Sequence, residues 1–179
     1  MNLLHDIPAG NPKDLVNVVI EIPIGSNTKY EYHDEVKTIV VDRFLYTAFT
    51  YPFNYGFIPQ TWSEDEDALD IVVLSSQPVA TGCLIECRVI GMLATEDEAG
   101  GDAKLIAVPK AKVDPAFAMV NSLDDLPEYL KNKIKHFYEN YKSIEPGKWV
   151  KVTDWLSKEA AQKTVADCVQ RYHEHFAKK

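Results

Sequence analysis

The sequence predicts an α+β protein, mainly β, in which a sheet or barrel of short strands carries two helices from the last third of the chain. Two observations predict it. Through the first 110 residues, short β-branched segments alternate with turn formers, and after Asp124-Asp125 the apolar residues recur at helical spacing.

Strands are expected at 16–22, 29–32, 38–42, 70–74, 84–95 and 104–109, pairing mainly antiparallel. Strict alternation shows only in places, which leaves the boundaries loose by a few residues. Asp124-Asp125 offers a helix cap and Pro127 suits a first turn, with Leu126, Leu130, Ile134, Phe137, Tyr138 and Tyr141 forming an apolar stripe that ends before Pro146-Gly147. A second helix should begin near Ser157 and present Ala161, Val165, Cys168, Val169, Tyr172 and Phe176. Both stripes read as core.

With 179 residues and 46% hydrophobic side chains, the chain suits one domain. Neither a membrane-length apolar run nor a signal-peptide pattern is present, so a cytoplasmic protein is expected. The three cysteines match no metal spacing and read as reduced thiols. On a strand, Cys83 and Cys87 would share a face too far apart to bridge.

The net charge of −8 is concentrated: between Gln60 and Asp102, ten acids face Arg88 alone. Such a stretch repels a phosphate backbone unless cations intervene, which argues against a nucleic-acid partner and for bound cations. The run Glu64-Asp65-Glu66-Asp67-Ala68-Leu69-Asp70 enters the apolar segment Ile71-Val72-Val73-Leu74. In extended backbone Asp65 and Asp67 share a side, and a bend brings Asp70 to them, offering hard oxygen ligands suited to magnesium. A solvated acidic loop is the plain alternative. An EF-hand loop fits badly, because counting from Asp65 the glycine position holds Asp70 and the closing glutamate position holds Ser76. A second acidic group, from Glu96 through Asp97 to Asp102, contains Gly100-Gly101 and can fold back so that Asp97 and Asp102 meet. His173 and His175, two apart on a helix, point in different directions and read as an exposed end.

Taken together, the chain resembles the family I soluble inorganic pyrophosphatases of the short bacterial type. The resemblance rests on Val18-Val19-Ile20-Glu21-Ile22-Pro23, Lys29-Tyr30-Glu31, Val41-Asp42-Arg43-Phe44, Tyr51-Pro52-Phe53-Asn54-Tyr55-Gly56, the aspartate run, Glu96 to Pro109, Tyr141-Lys142 and Lys148-Trp149-Val150. It implies an OB-like five-stranded β-barrel with flanking helices, a homohexamer, and magnesium-dependent hydrolysis of pyrophosphate to two phosphates by direct attack of water. Carried over by residue, Asp65, Asp70 and Asp102 resemble ligands of two activating metals, and Asp97 with Asp102 resembles the site for metal arriving with substrate. Asp67 matches the acceptor of a proton from the attacking water. Lys29, Arg43, Tyr55, Lys104, Tyr141 and Lys142 match phosphate-binding positions, with Glu21, Glu31 and Tyr51 in support. Two positions depart from the family pattern: Glu66, where a small or polar residue, often glycine, is usual, and Ala68, where proline or glutamate is. Glycine would accept a positive φ that glutamate adopts only with strain. A catalytically silent barrel that binds metal or phosphorylated ligands, and a nucleic-acid-binding barrel, are the competing readings.

Overall fold

The computed structural model describes residues 1–98 and 100–176. Its strands are β1 (Val16–Ile22), β2 (Thr28–His33), β3 (Thr38–Phe44), β4 (Asn54–Ile58), β5 (Leu69–Val73), β6 (Leu84–Asp97), β7 (Gly100–Pro109) and β8 (Val150–Leu156); its helices are α1 (Glu128–Asn140) and α2 (Lys158–Phe176). Five strands pair in the order β1-β4-β5-β7-β6, and a further β1–β6 pairing closes the ring. This is the expected five-stranded OB-like barrel. β8 extends β6 outside the ring, and β2–β3 form a separate hairpin. The pairing is mainly antiparallel, as expected; only β5 and β7 run parallel among the ring pairs, because a closed ring of five strands cannot have every neighbour antiparallel.

Apolar runs without clean alternation arise because several strands bury both faces. Val72, Ile106 and Val108 pack in one cluster with Ile134, Phe137 and Tyr138 of α1, whereas their neighbours Ile71, Val73, Leu105 and Ala107 pack in another with Ala161, Val165 and Cys168 of α2. The two helical stripes therefore serve the core, as expected.

Two strands escaped the sequence reading. β4 contains Gly56, which looks like a breaker, but a Cβ there would lie 1.9 Å from the Val19 carbonyl oxygen, so only glycine lets β1 and β4 approach. β8 follows Pro146-Gly147 and lies against β6 on one side, with weak alternation. The expected cap also moves. Asp125 accepts backbone N–H bonds from Asn121 (2.8 Å) and Ser122 (2.9 Å) in the short turn before α1, and the α1 N-cap is Pro127, which supplies no side-chain bond. Cys83 is exposed, Cys87 and Cys168 are buried, and all three are free thiols. Exposed His175 is not loose: its ring stacks on Trp62 at 4.9 Å.

A candidate active site of carboxylates, cations and tyrosines

The loop between β4 and β5 is tied at its base by buried Thr61. Its hydroxyl donates to the Ile58 carbonyl (2.6 Å) and accepts the Leu69 N–H (2.9 Å). α2 holds the loop as well: the Trp62 N–H donates to the Cys168 carbonyl at 3.0 Å, and the Arg171 guanidinium donates to the Trp62 carbonyl at 2.9 Å. Within it, the Ser63 N–H meets the Asp67 carbonyl at 2.7 Å, a tight turn that places Glu66 at φ +63°. The positive angle raised by the glycine comparison is therefore present at Glu66, in a region where side chains other than glycine are strained.

Strand register supplies the rest. Ile71 lies level with Leu105 in the parallel β5–β7 pair, so Asp70 and Lys104 come side by side with Asp102 two residues back on the same face. Tyr55 stands level with Val72 on the other neighbour of β5, which puts its ring on that face too. In β1 the register slips between Ile20 and Ile22, leaving Glu21 as the extra residue of a bulge, a device that turns a side chain out of the ladder. Lys29 lies directly opposite Arg43 in the hairpin.

These elements enclose a cavity of about 470 Å³ whose lining includes Glu21, Lys29, Glu31, Tyr51, Tyr55, Asp65, Asp67, Asp70, Asp102, Lys104, Tyr141 and Lys142. The two acidic stretches thus meet. Two expected residues stand just outside. Asp97 receives the Lys142 ammonium at 3.1 Å, behind the lining. Arg43 lies between Asp42 (2.8 Å) and Glu145 (3.5 Å), close enough for its charge to act on the hydroxyls of Tyr51 and Tyr141. Tyr32, Trp62 and Tyr138 also line the cavity and were not singled out as site residues. Tyr138 sits in a helical stripe, where core is the natural reading; its hydroxyl is buried with no hydrogen-bond partner among the described residues. A smaller cavity of about 220 Å³ reaches Asp65, Asp70 and Asp102 from the side of α2.

The electrostatics are those of crowded negative charge. Burial raises the Glu21 carboxyl well above the usual range, and Asp70, Asp67 and Glu31 add to it against the opposing Tyr32 N–H bond of 2.6 Å. Asp67 is pushed up to about 6 by desolvation, with Asp70, Asp65 and Glu31 adding to it. Desolvation also raises Asp102, although Lys104 opposes it. Burial disfavours the Lys104 ammonium, but Asp70 and Asp102 outweigh that and hold it above its ordinary range. Lys104 bonds Asp70, lies 2.6 Å from Asp102 and sits 5.8 Å from the Tyr55 ring centroid.

The donor set is all oxygen, which suits a hard divalent cation, and the raised carboxyls would be relieved by positive charge. Among the described residues no three such side chains already surround a metal position. In this structure the Lys104 ammonium supplies the positive charge between Asp70 and Asp102. Asp65, Asp70 and Asp102 line the same cavity as Lys29, Lys104, Lys142 and the side chains of Tyr51, Tyr55 and Tyr141.

A closed barrel thus gathers carboxylates, ammonium groups and phenols around one cavity. Residues 18–173 match the inorganic pyrophosphatase family. The inorganic pyrophosphatase of Aeropyrum pernix is 52% identical over 165 residues, covering 92% of this chain and 94% of that protein. That of Aquifex pyrophilus is 51% identical, covering 93% and 95%. The crystal structure of inorganic pyrophosphatase from Thermus thermophilus superposes with a TM-score of 0.92 at 45% identity, covering 96% of this chain and 99% of that one. The chain belongs to the inorganic pyrophosphatase family, whose members are hydrolases.

Proposed function

We propose that this chain is a magnesium-dependent enzyme that hydrolyses pyrophosphate to two orthophosphates in the 470 Å³ cavity by direct attack of water. The observation that carries this reading is the meeting of Asp65, Asp67 and Asp70 with Asp102 from a distant strand, in a cavity also lined by Lys29, Lys104, Tyr141 and Lys142. One domain, residues 1–179, holds all of these groups.

Pyrophosphate resists attack because its own charge repels a nucleophile. Asp65, Asp70 and Asp102 would hold magnesium, and Asp97 would join Asp102 for a cation arriving with substrate. When bound, magnesium lowers the pKa of water and neutralises phosphate oxygens. Asp67 is the base: it lines the cavity beside Asp65 and Asp70, where its carboxylate would accept the proton of the attacking water. The water oxygen bonds to one phosphorus while the bond from that phosphorus to the bridging oxygen breaks, and the bridging oxygen leaves with the second phosphate. Lys29 and Arg43 stabilise charge growing on the departing group, while Tyr55, Lys104, Tyr141 and Lys142 hold the attacked phosphoryl group. Glu21 and Glu31 complete the negative field, and Tyr51 supports the aromatic wall. No covalent enzyme intermediate is required.

Association into a homohexamer in the cytoplasm accompanies this proposal. Exposed Phe44, Tyr46 and Met119 provide apolar surface for subunit contact, and free thiols suit a reducing compartment. The test of function is phosphate release from magnesium pyrophosphate with and without chelator. Release that stops with chelator and returns with added magnesium supports the proposal; no release in excess magnesium contradicts it.

A further inference from the structure

Arg43 and Glu145 face each other across 3.5 Å, and the two facing atoms, Arg43 Nε and Glu145 Oε1, are both buried without a hydrogen-bond partner among the described residues. The separation makes an ion pair but is too long for a good hydrogen bond. The Glu145 side chain is only 8% exposed, so its charge has little water to turn to. On its other side the Arg43 guanidinium donates to Asp42 at 2.8 Å.

Glu145 is also built into the turn that carries Tyr141 and Lys142. The Ser143 N–H donates to the Asn140 carbonyl (3.0 Å), the Glu145 N–H to the Lys142 carbonyl (2.9 Å), and the Lys148 N–H to the Glu145 carbonyl (3.1 Å). A second tie joins the same two parts of the chain: the Thr47 hydroxyl, shortly after β3, donates to the Tyr141 carbonyl at 3.3 Å. One carboxylate therefore links Arg43, delivered by β3, to the turn after α1 that delivers Tyr141 and Lys142.

We infer that Glu145 is a positioning residue that orients the Arg43 guanidinium toward bound phosphate and couples it to the Tyr141-Lys142 turn. The inference rests on the proposed phosphate-binding role of Arg43. The guanidinium is restricted by an ion pair with the buried Glu145 carboxylate on its Nε side and by a hydrogen bond from a terminal nitrogen to Asp42 on the other, while its remaining N–H groups stay available to an oxyanion. Without Glu145 the plane is free to swing about its last torsions, and Arg43 pays that ordering cost each time phosphate binds.

The test is a double-mutant cycle of Glu145→Gln and Arg43→Ala. It is read by calorimetric binding of inorganic phosphate in magnesium and by kcat/KM for magnesium pyrophosphate, with urea stability of each free protein alongside. Glutamine keeps the shape and removes the charge. Glu145→Gln should lower both phosphate affinity and kcat/KM about tenfold, Arg43→Ala should lower them further, and the double variant should match Arg43→Ala within about twofold. Glu145→Asp, which keeps the charge on a shorter arm, should fall between wild type and Glu145→Gln. The inference is overturned if Glu145→Gln binds and turns over like wild type, or if its tenfold loss persists undiminished in the Arg43→Ala background. An Arg43→Ala variant that behaves as wild type would remove the phosphate role of Arg43 and this inference with it. A wild type that releases no phosphate would instead be the failure of the proposed function.

Discussion

Replacing Asp67 by asparagine should make the metal-free protein more stable at alkaline pH while nearly abolishing its turnover. The carboxyl titrates at about 6 in the fold against 3.8 when unperturbed, so the folded state keeps a proton there that the unfolded chain has released. Because the folded value is raised, the associated stability is fully present below about pH 4 and is lost as pH rises through about 6. Fully felt, that displacement corresponds to about 3 kcal/mol. Asp67 is exposed at the cavity wall, so solvent screening cuts the figure to roughly 1 kcal/mol. Asparagine carries no charge at any of these pH values and escapes the loss. Urea unfolding in chelator should therefore show a difference between variant and wild type that is about 1 kcal/mol larger at pH 8 than at pH 4. Turnover at neutral pH should fall on the order of 10²- to 10⁴-fold. A stability difference independent of pH would refute the electrostatic reasoning, and turnover close to wild type would remove Asp67 from the base role.

Glu66→Gly should relieve left-handed backbone strain of about 1–2 kcal/mol and give back about half of it through the freer unfolded chain, for a net gain near 0.5–1 kcal/mol; thermal unfolding that drops would mean Glu66 makes a compensating contact. Tyr138→Phe removes a buried hydroxyl that has no hydrogen-bond partner among the described residues, so the free protein should be as stable as wild type or more so. A loss above 1 kcal/mol in urea would show that the hydroxyl is satisfied. Lys29→Ala should lower phosphate affinity on the order of tenfold while leaving magnesium titration in the absence of phosphate largely intact, since Lys29 pairs with Glu31 and Asp42 and not with the barrel aspartates. Complete loss of magnesium binding would contradict that separation.

Much of this architecture could be read from residue patterns because the patterns follow burial. The stripe from Leu130 to Tyr141 and the one from Ala161 to Cys168 are apolar at helical spacing since each packs against the strands, and Tyr172 continues the second into a cluster with Leu4, Ile7, Val19 and Phe57. β4 was illegible because Gly56 normally argues against a strand, and its reason, contact with the Val19 backbone, exists only in three dimensions. The parallel β5–β7 pairing follows from barrel closure, which no local segment encodes. At the site, spacing brought Asp65, Asp67 and Asp70 into question, but their company with Asp102 depends on register between strands far apart in sequence. Lysines and tyrosines are common enough on any surface that only resemblance to a known family selected Lys29, Lys142 and Tyr55. Glu145 had no signal at all, being one acid in a loop, and its relation to Arg43 comes from how that loop lies beside β3.

Magnesium calorimetry on the wild type, Asp70→Asn, Asp102→Asn and the double variant tests most directly whether the two acidic stretches serve the same cations. If they do, each single substitution should weaken the same binding event, and the double variant should lose little beyond the worse single one. Independent losses that add in full, or an Asp102→Asn protein that binds magnesium as the wild type does, would contradict the shared site.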